Sequence, residues 1–168
     1  MVKTLLAMLV ACAALSAHAQ TPPSPIAGLP AGQGAGVHGA DSPFAPLVAR
    51  NDVLAWLLLT AVKTKTIKNR IPPAFDACQL ALDQKPQHIQ GFMMPLEPCE
   101  KQKHFLLSSV PLTCAYCVPG GPESMVEVRT KTPVKYGMEP VVVEGKFLVL
   151  NDDSYGLYYR MTDATPVK

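Results

Sequence analysis

The sequence is short of charge and of aromatic rings: Asp, Glu, Lys and Arg make up 17% of its 168 residues and Phe, Trp and Tyr 7%, with a single Trp. An average soluble chain carries roughly 25% charged residues, so coiled coils and long helical arrays, which need charge on their wet faces, are excluded. No block of like charge occurs, and the formal charge is only +2. Without a basic stripe to grip a phosphate backbone, nucleic acid is not expected as a partner. No apolar run reaches the roughly 20 residues of a membrane-spanning helix, so an integral helical membrane protein is not expected. No internal repeat is apparent. Hydrolase and transferase signatures are missing too: Ser108 and Ser109 sit in no Gly-x-Ser-x-Gly turn, nothing marks His88 or His104 as a base, and Asn151-Asp-Asp153 lacks the spaced oxygens of a calcium loop.

What is present begins with an address. Lys3, the apolar stretch from Thr4 to Leu15 and the small-x-small site Ala17-His18-Ala19 read as an export signal over residues 1–19, which places the protein in the periplasm. Removing the signal takes Lys3 with it and leaves a charge of +1. Leu9-Val10-Ala11-Cys12 also reads as a lipoprotein box, and the alternative is therefore a lipoprotein held to the envelope by a lipid on Cys12. Residues 20–49 hold six prolines and five glycines. Such a segment buries too little apolar area to offset its ordering entropy and is expected to be a flexible linker, with no role for His38.

From residue 50 to 165 the composition is that of one β domain. Asn51 or Asp52 can cap a short helical turn whose apolar cluster includes Trp56, read as core. Val62 to Lys68 alternates β-branched residues with lysines. Gln79 to Leu82, His88 to Leu96, Phe105 to Val110, Met125 to Thr130, Val141 to Leu150 and Leu157 to Thr162 are rich in Val, Leu, Phe and Tyr. They are separated by proline, glycine and Asn-Asp punctuation. Six or seven short strands in so short a domain predict an all-β fold, a small closed or partly open OB-like barrel, because closure removes exposed sheet edges. Gly91 and Gly145, inside strand patterns, mark places for a bulge or sharp bend.

The chemistry-bearing residues are cysteines. Cys78, Cys99, Cys114 and Cys117 remain after the signal, an even number in an oxidising compartment, and three complete pairings are open to them. Cys114-Ala-Tyr-Cys117 looks superficially like a thioredoxin-type motif. In that fold, however, the first cysteine opens a helix whose amide dipoles lower its pKa, and here Val118-Pro-Gly-Gly-Pro122 follows. An interior proline costs a helix roughly 3 kcal/mol and a glycine about 1, so no helix is expected. Two uses stay open. One is a disulfide, either 114 to 117 or bonds to Cys78 and Cys99, fastening a proline-rich crossover. The other is a metal site: two thiolates two residues apart suit Zn or Cu, with Cys78, Cys99 or His104 completing the ligand set. For copper(I), Met93, Met94 and Met125 are thioether candidates, although alternation sends Met93 and Met94 to opposite faces.

Gly91-Phe-Met-Met-Pro-Leu96, His104-Phe-Leu-Leu107, Thr113-Cys-Ala-Tyr-Cys-Val-Pro-Gly-Gly-Pro122 and Pro140-Val-Val-Val-Glu-Gly145 through Gly156-Leu-Tyr-Tyr-Arg160 resemble a bacterial exported family known as domain of unknown function 3299. The resemblance spans about residues 54 to 164 and implies an exported location and a compact β fold. By association it also implies work near metal-related transport systems. Cys78 and Cys99 depart from the family pattern. Together these readings predict an exported, non-catalytic accessory or binding protein of the cell envelope that handles a transition metal through the Cys114–Cys117 loop. Its expected partner is an envelope transporter or a metal-trafficking protein. The alternatives are a disulfide-stabilised partner-binding component of an envelope complex, and a thiol-disulfide redox factor.

Overall fold

The computed structural model describes residues 34–64, 67 and 72–167. The expected signal with Cys12, the first part of the linker (20–33) and three of the seven residues of the Val62 to Lys68 strand lie outside these residues. The described chain runs α1 (Trp56–Thr60), β1 (Lys63–Thr64), β2 (Pro73–Ala74), α2 (Ala77–Leu80), β3 (Pro86–Pro95), β4 (Lys101–Ser108), a 3₁₀ turn at Pro122–Ser124, β5 (Met125–Lys135), β6 (Val141–Val149) and β7 (Tyr159–Val167). β1 and β2 form a small antiparallel pair, and β3 to β7 close into a five-stranded barrel in the order β3-β4-β5-β7-β6. The β5–β7 contact is parallel and the other pairings are antiparallel. The expected all-β, OB-like barrel is what forms, with five of the seven strands in the barrel.

Alternation explains its interior. Ile89 and Met93 of β3, Phe105 and Leu107 of β4, Val126 and Val128 of β5, Val143 and Phe147 of β6, and Tyr159 and Met161 of β7 point inward and are buried. Met93 is 7% exposed and Met94 36%, the opposite facing that strand periodicity requires. Pro133 lies in β5 where the β4 pairing jumps from His104↔Arg129 to Gln102↔Val134, an irregular stretch that tolerates a missing amide donor.

One end of the barrel is plugged by α1. Leu59 is fully buried, Trp56 Nε1 donates to the Gln90 carbonyl (2.8 Å), and Tyr159 Oη donates to the Leu59 carbonyl (2.7 Å). The expected cap at Asn51 or Asp52 does not form. The helix begins after Ala55 with no side-chain cap, and Asp52 instead pairs with Arg50. Tyr159→Phe should cost about 2 kcal/mol, because it leaves the buried Leu59 carbonyl without a donor while changing little volume. An unchanged urea midpoint in that variant would show that the plug is held by apolar contact alone.

The expected strand at Gln79 to Leu82 is corrected: Gln79 and Leu80 end helix α2, and residues 81–82 continue as a turn. Asp76 Oδ1 accepts from Gln79 N (2.9 Å) and Gln79 Oε1 accepts from Asp76 N (3.0 Å), a reciprocal capping box that nucleates α2. Gln79 Nε2 also donates to the Leu58 carbonyl (3.0 Å), tying α2 to α1. A hairpin around Asp83-Gln-Lys-Pro86 is therefore absent. Gln84 takes a left-handed turn (φ 62°), and β3 departs to pair with β6.

Candidate functional site

The Cys114–Cys117 loop joins β4 to the 3₁₀ turn before β5. The two cysteines form a disulfide with a Cα separation of 5.3 Å, within the usual range for such a bond. Backbone bonds from Cys114 N to the Pro111 carbonyl and from Cys117 N to the Cys114 carbonyl make consecutive tight turns. Residues 114–121 contain no α-helix. No helix dipole therefore acts on either sulfur, as Val118-Pro-Gly-Gly-Pro122 demands. The disulfide is nearly buried (Cys114 8% and Cys117 9% exposed) in a small apolar cluster with Val110 and Phe44, while Tyr116 between them is 59% exposed.

Part of that burial comes from the segment before the domain. Residues 34–44, part of the segment 20–49 read from composition as a flexible linker, lie across this loop and the outer face of β3. Val37 and Val118 exchange both backbone hydrogen bonds (2.7 and 2.8 Å), Gly34 N donates to Glu123 Oε1 (2.7 Å), and Ser109 Oγ donates to the Ala35 carbonyl (2.5 Å). Phe44 meets Phe92 edge to face at 6.1 Å, and the His38 ring lies 6.3 Å from Phe92. Although Phe92 is on the outside of the barrel, it is 3% exposed. His38 has a structural use after all: its Nε2 is 2.8 Å from the Phe44 carbonyl and closes the segment's own turn.

The remaining candidate ligands do not gather on the cysteine loop. Cys78 is on α2 and Cys99 in the β3–β4 turn, and both are exposed free thiols. His104 lies on β4, with Nε2 2.7 Å from Glu127 Oε1. Met93 is in the barrel core. Among the described residues, no group of three or more His, Cys, Asp or Glu side chains is arranged to hold a metal ion. The donor set proposed from the sequence does not fit a bound ion in this state, since two of its sulfurs are bonded to each other.

A polar cluster that the sequence does not announce lies on the outer face of β4, β5 and β7. Glu127 is only 4% exposed. Its Oε1 accepts from Arg129 Nε (3.1 Å) and Nη2 (2.9 Å) as well as facing His104, and its Oε2 accepts from Arg160 Nε. Arg160 Nη2 reaches Asp153 Oδ1 (2.9 Å), and Asp153 Oδ2 accepts from the amides of Tyr155 (2.9 Å) and Leu157 (3.3 Å). Burial pushes the Glu127 carboxyl up, but the bonds from Arg160, Arg129 and His104 together outweigh it and hold it below its ordinary value. Asp153 is lowered in the same way: burial raises it, and the two amides with Arg160 more than reverse that. Two carboxylates, Glu127 and Asp153, thus face two guanidinium groups and the His104 ring in one connected cluster.

A cleft of about 720 Å³ opens beside the β6–β7 loop, lined by Thr60, Val62, Glu123, Asp153 and Tyr158 among others. Its described lining holds carboxylates and hydroxyls but no histidine, cysteine, lysine or arginine.

A family model described as "Protein of unknown function (DUF3299)" matches residues 57–163. Among solved structures, the chain is similar to the crystal structure of a DUF3299 family protein from Pseudomonas aeruginosa PAO1. The two are 31% identical over 58% of this chain and 68% of that one, with a TM-score of 0.42. None of the curated proteins matches.

Proposed function

Because the chain belongs to the DUF3299 family, whose description assigns no activity, we propose a function from its own geometry: an exported, non-catalytic binding module of the bacterial envelope. The disulfide-fastened Cys114–Cys117 loop is its contact surface. The observation that carries this reading is the buried disulfide beneath an exposed Tyr116. A four-residue loop pinned at both ends presents its aromatic side chain without the ordering cost a free loop would meet on binding, and tyrosine is among the side chains most enriched in energetic contacts between proteins. A persistent disulfide also suits an exported protein, in keeping with the signal read at residues 1–19.

The partner reading is favoured over metal handling because the loop sulfurs are bonded to each other and Cys78, Cys99 and His104 stand elsewhere. Zn or Cu would require reduction of the disulfide first. It is favoured over a redox factor because neither sulfur opens a helix or is freely exposed.

The test places a photo-crosslinking amino acid at Tyr116 in envelope-expressed protein, with Met138, also 59% exposed, as control. A discrete adduct from position 116 that is missing from position 138 is expected. Identical patterns from both sites would remove the loop as the contact surface. Thiol counting with elemental analysis on the same preparation decides the chemistry. The disulfide reading predicts Cys78 and Cys99 as free thiols and no stoichiometric metal, whereas reduced Cys114 and Cys117 with about one zinc or copper per chain replaces it with metal handling.

A further inference from the structure

Ser42 connects the N-terminal segment to the disulfide directly. Its Oγ lies 3.3 Å from Cys114 Sγ and 3.5 Å from Cys117 Sγ, while accepting from Phe44 N at 3.1 Å. Since disulfide sulfurs carry no proton, the hydroxyl is the donor toward them. Phe44 packs against the small cluster of Val110, Cys114 and Cys117. Gly39 is closer still: a Cβ there would lie 1.9 Å from the Tyr116 carbonyl oxygen, so the segment's backbone is moulded to the shape of the turn that the disulfide closes. The Val37–Val118 bridge sits one residue beyond Cys117.

We propose that residues 34–44 and the Cys114–Cys117 loop form a redox-coupled latch, in which docking of the segment and the disulfide stabilise each other. A dithiol reductant would cleave the S–S bond, giving two thiols on the protein while the reductant's two thiols lose two electrons and two protons to become a disulfide. Two unbonded sulfurs need a spacing of roughly 3.5–4 Å, as non-bonded heavy atoms do. Ser42 Oγ touches both sulfurs and Phe44 packs against their cluster, so separating the sulfurs disturbs the surface on which the segment docks. Release of the segment uncovers Phe92 and Val110 as an apolar patch on the outer wall of the barrel. Linkage makes the effect reciprocal: whatever factor the disulfide adds to docking, docking adds to the disulfide. The latch shares the Cys114–Cys117 loop with the proposed partner contact but does not rest on it, since every group it uses lies within this chain.

Hydrogen exchange on the full chain tests one direction. On reduction with dithiothreitol, the Val37 amide should exchange at least about tenfold faster while β5 and β7 amides keep their protection, and Cys114→Ser/Cys117→Ser should behave as the reduced protein does. The barrel amides show whether that variant folds, and reduced wild-type protein supplies the same reading without a substitution. The other direction uses Phe44→Ala, which should shift the thiol–disulfide equilibrium at least about tenfold toward thiols, equivalent to about 30 mV for a two-electron couple. Unchanged Val37 exchange in protein whose thiol count has risen by two overturns the latch, and so does an unchanged equilibrium in Phe44→Ala.

Discussion

Glu127→Ala is expected to lower folding stability by about 3 kcal/mol at neutral pH, read as a shifted urea midpoint with an unchanged slope. The estimate rests on what the substitution leaves behind. Arg160 has a side chain only 23% exposed and would lose one of its two carboxylates, and His104 and Arg129 would lose the oxygen they share. Breaking a buried charge pair from one side costs roughly 3 to 5 kcal/mol, and the lower end applies because Arg129, at 59% exposed, can turn to water. Arg129→Ala should therefore cost much less, below about 1 kcal/mol, in line with exposed ion pairs. Equal losses at positions 127 and 129 would mean that burial does not govern this cluster.

The same carboxylates set the acid response. Glu127 and Asp153 both titrate below their ordinary values of 4.5 and 3.8 in the folded state. Groups lowered by folding add stability that is fully present above the unfolded-state value and is lost as pH falls through the folded one. Wild-type protein should thus weaken as pH drops below about 4.5, and Glu127→Gln should be weaker at pH 7 but show a shallower fall. The two proteins are expected to converge in stability near the acid limit.

How much of this was legible follows from which forces act locally. The strand segments at His88 to Leu96, Phe105 to Val110, Met125 to Thr130, Val141 to Leu150 and Leu157 to Thr162 overlap β3 to β7, because each couples inward alternation to proline or Asn-Asp punctuation. The helix at Gln79 is written in a capping box only four residues long, Asp76 to Gln79, a weaker signal than the surrounding β-rich composition. Residues 34–44 were hidden for a different reason: their glycines, which suggest freedom in isolation, allow close approach once a partner surface exists. Glu127 was invisible because Val-Glu-Val alternation marks it as outward-facing. Only the long-range arrival of Arg160 from β7 and His104 from β4 makes an outward residue a buried one. Of the cysteine pairings left open, the shortest was realised, and the helix-breaking residues after Cys117 did what their propensities require.

Gly145→Ala is the other substitution expected to act strongly, at about 3 kcal/mol, the upper end of the usual cost of overpacking. Gly145 follows Val143 and precedes Phe147 on the inward face of β6, but a Cβ there would meet the wall before it reached the core. It would lie 2.8 Å from Met161 Cγ, 2.8 Å from the Thr162 carbonyl oxygen and 2.9 Å from Ala164 Cα. Met161 can move, and the two backbone atoms cannot without shifting β7. The β6–β7 register explains why they stand so close: Glu144 faces Thr165 and Lys146 faces Thr162, so Asp163 and Ala164 together oppose Gly145. This is a bulge, with Asp163 in the left-handed region at φ 54°. The parallel β5–β7 pairing on the other side of β7 also shifts register here, between Val128 and Thr130, and Thr130 pairs with Ala164. An added methyl at 145 therefore pushes on the corner where the barrel closes, and the strain should reach the parallel β5–β7 pair. Gly137, whose nearest atom to a built Cβ is 4.0 Å away, provides the control, and Gly137→Ala should stay within about 0.5 kcal/mol of wild type. If thermal or urea unfolding ranks the two variants together, the closure of the barrel does not depend on the space at position 145.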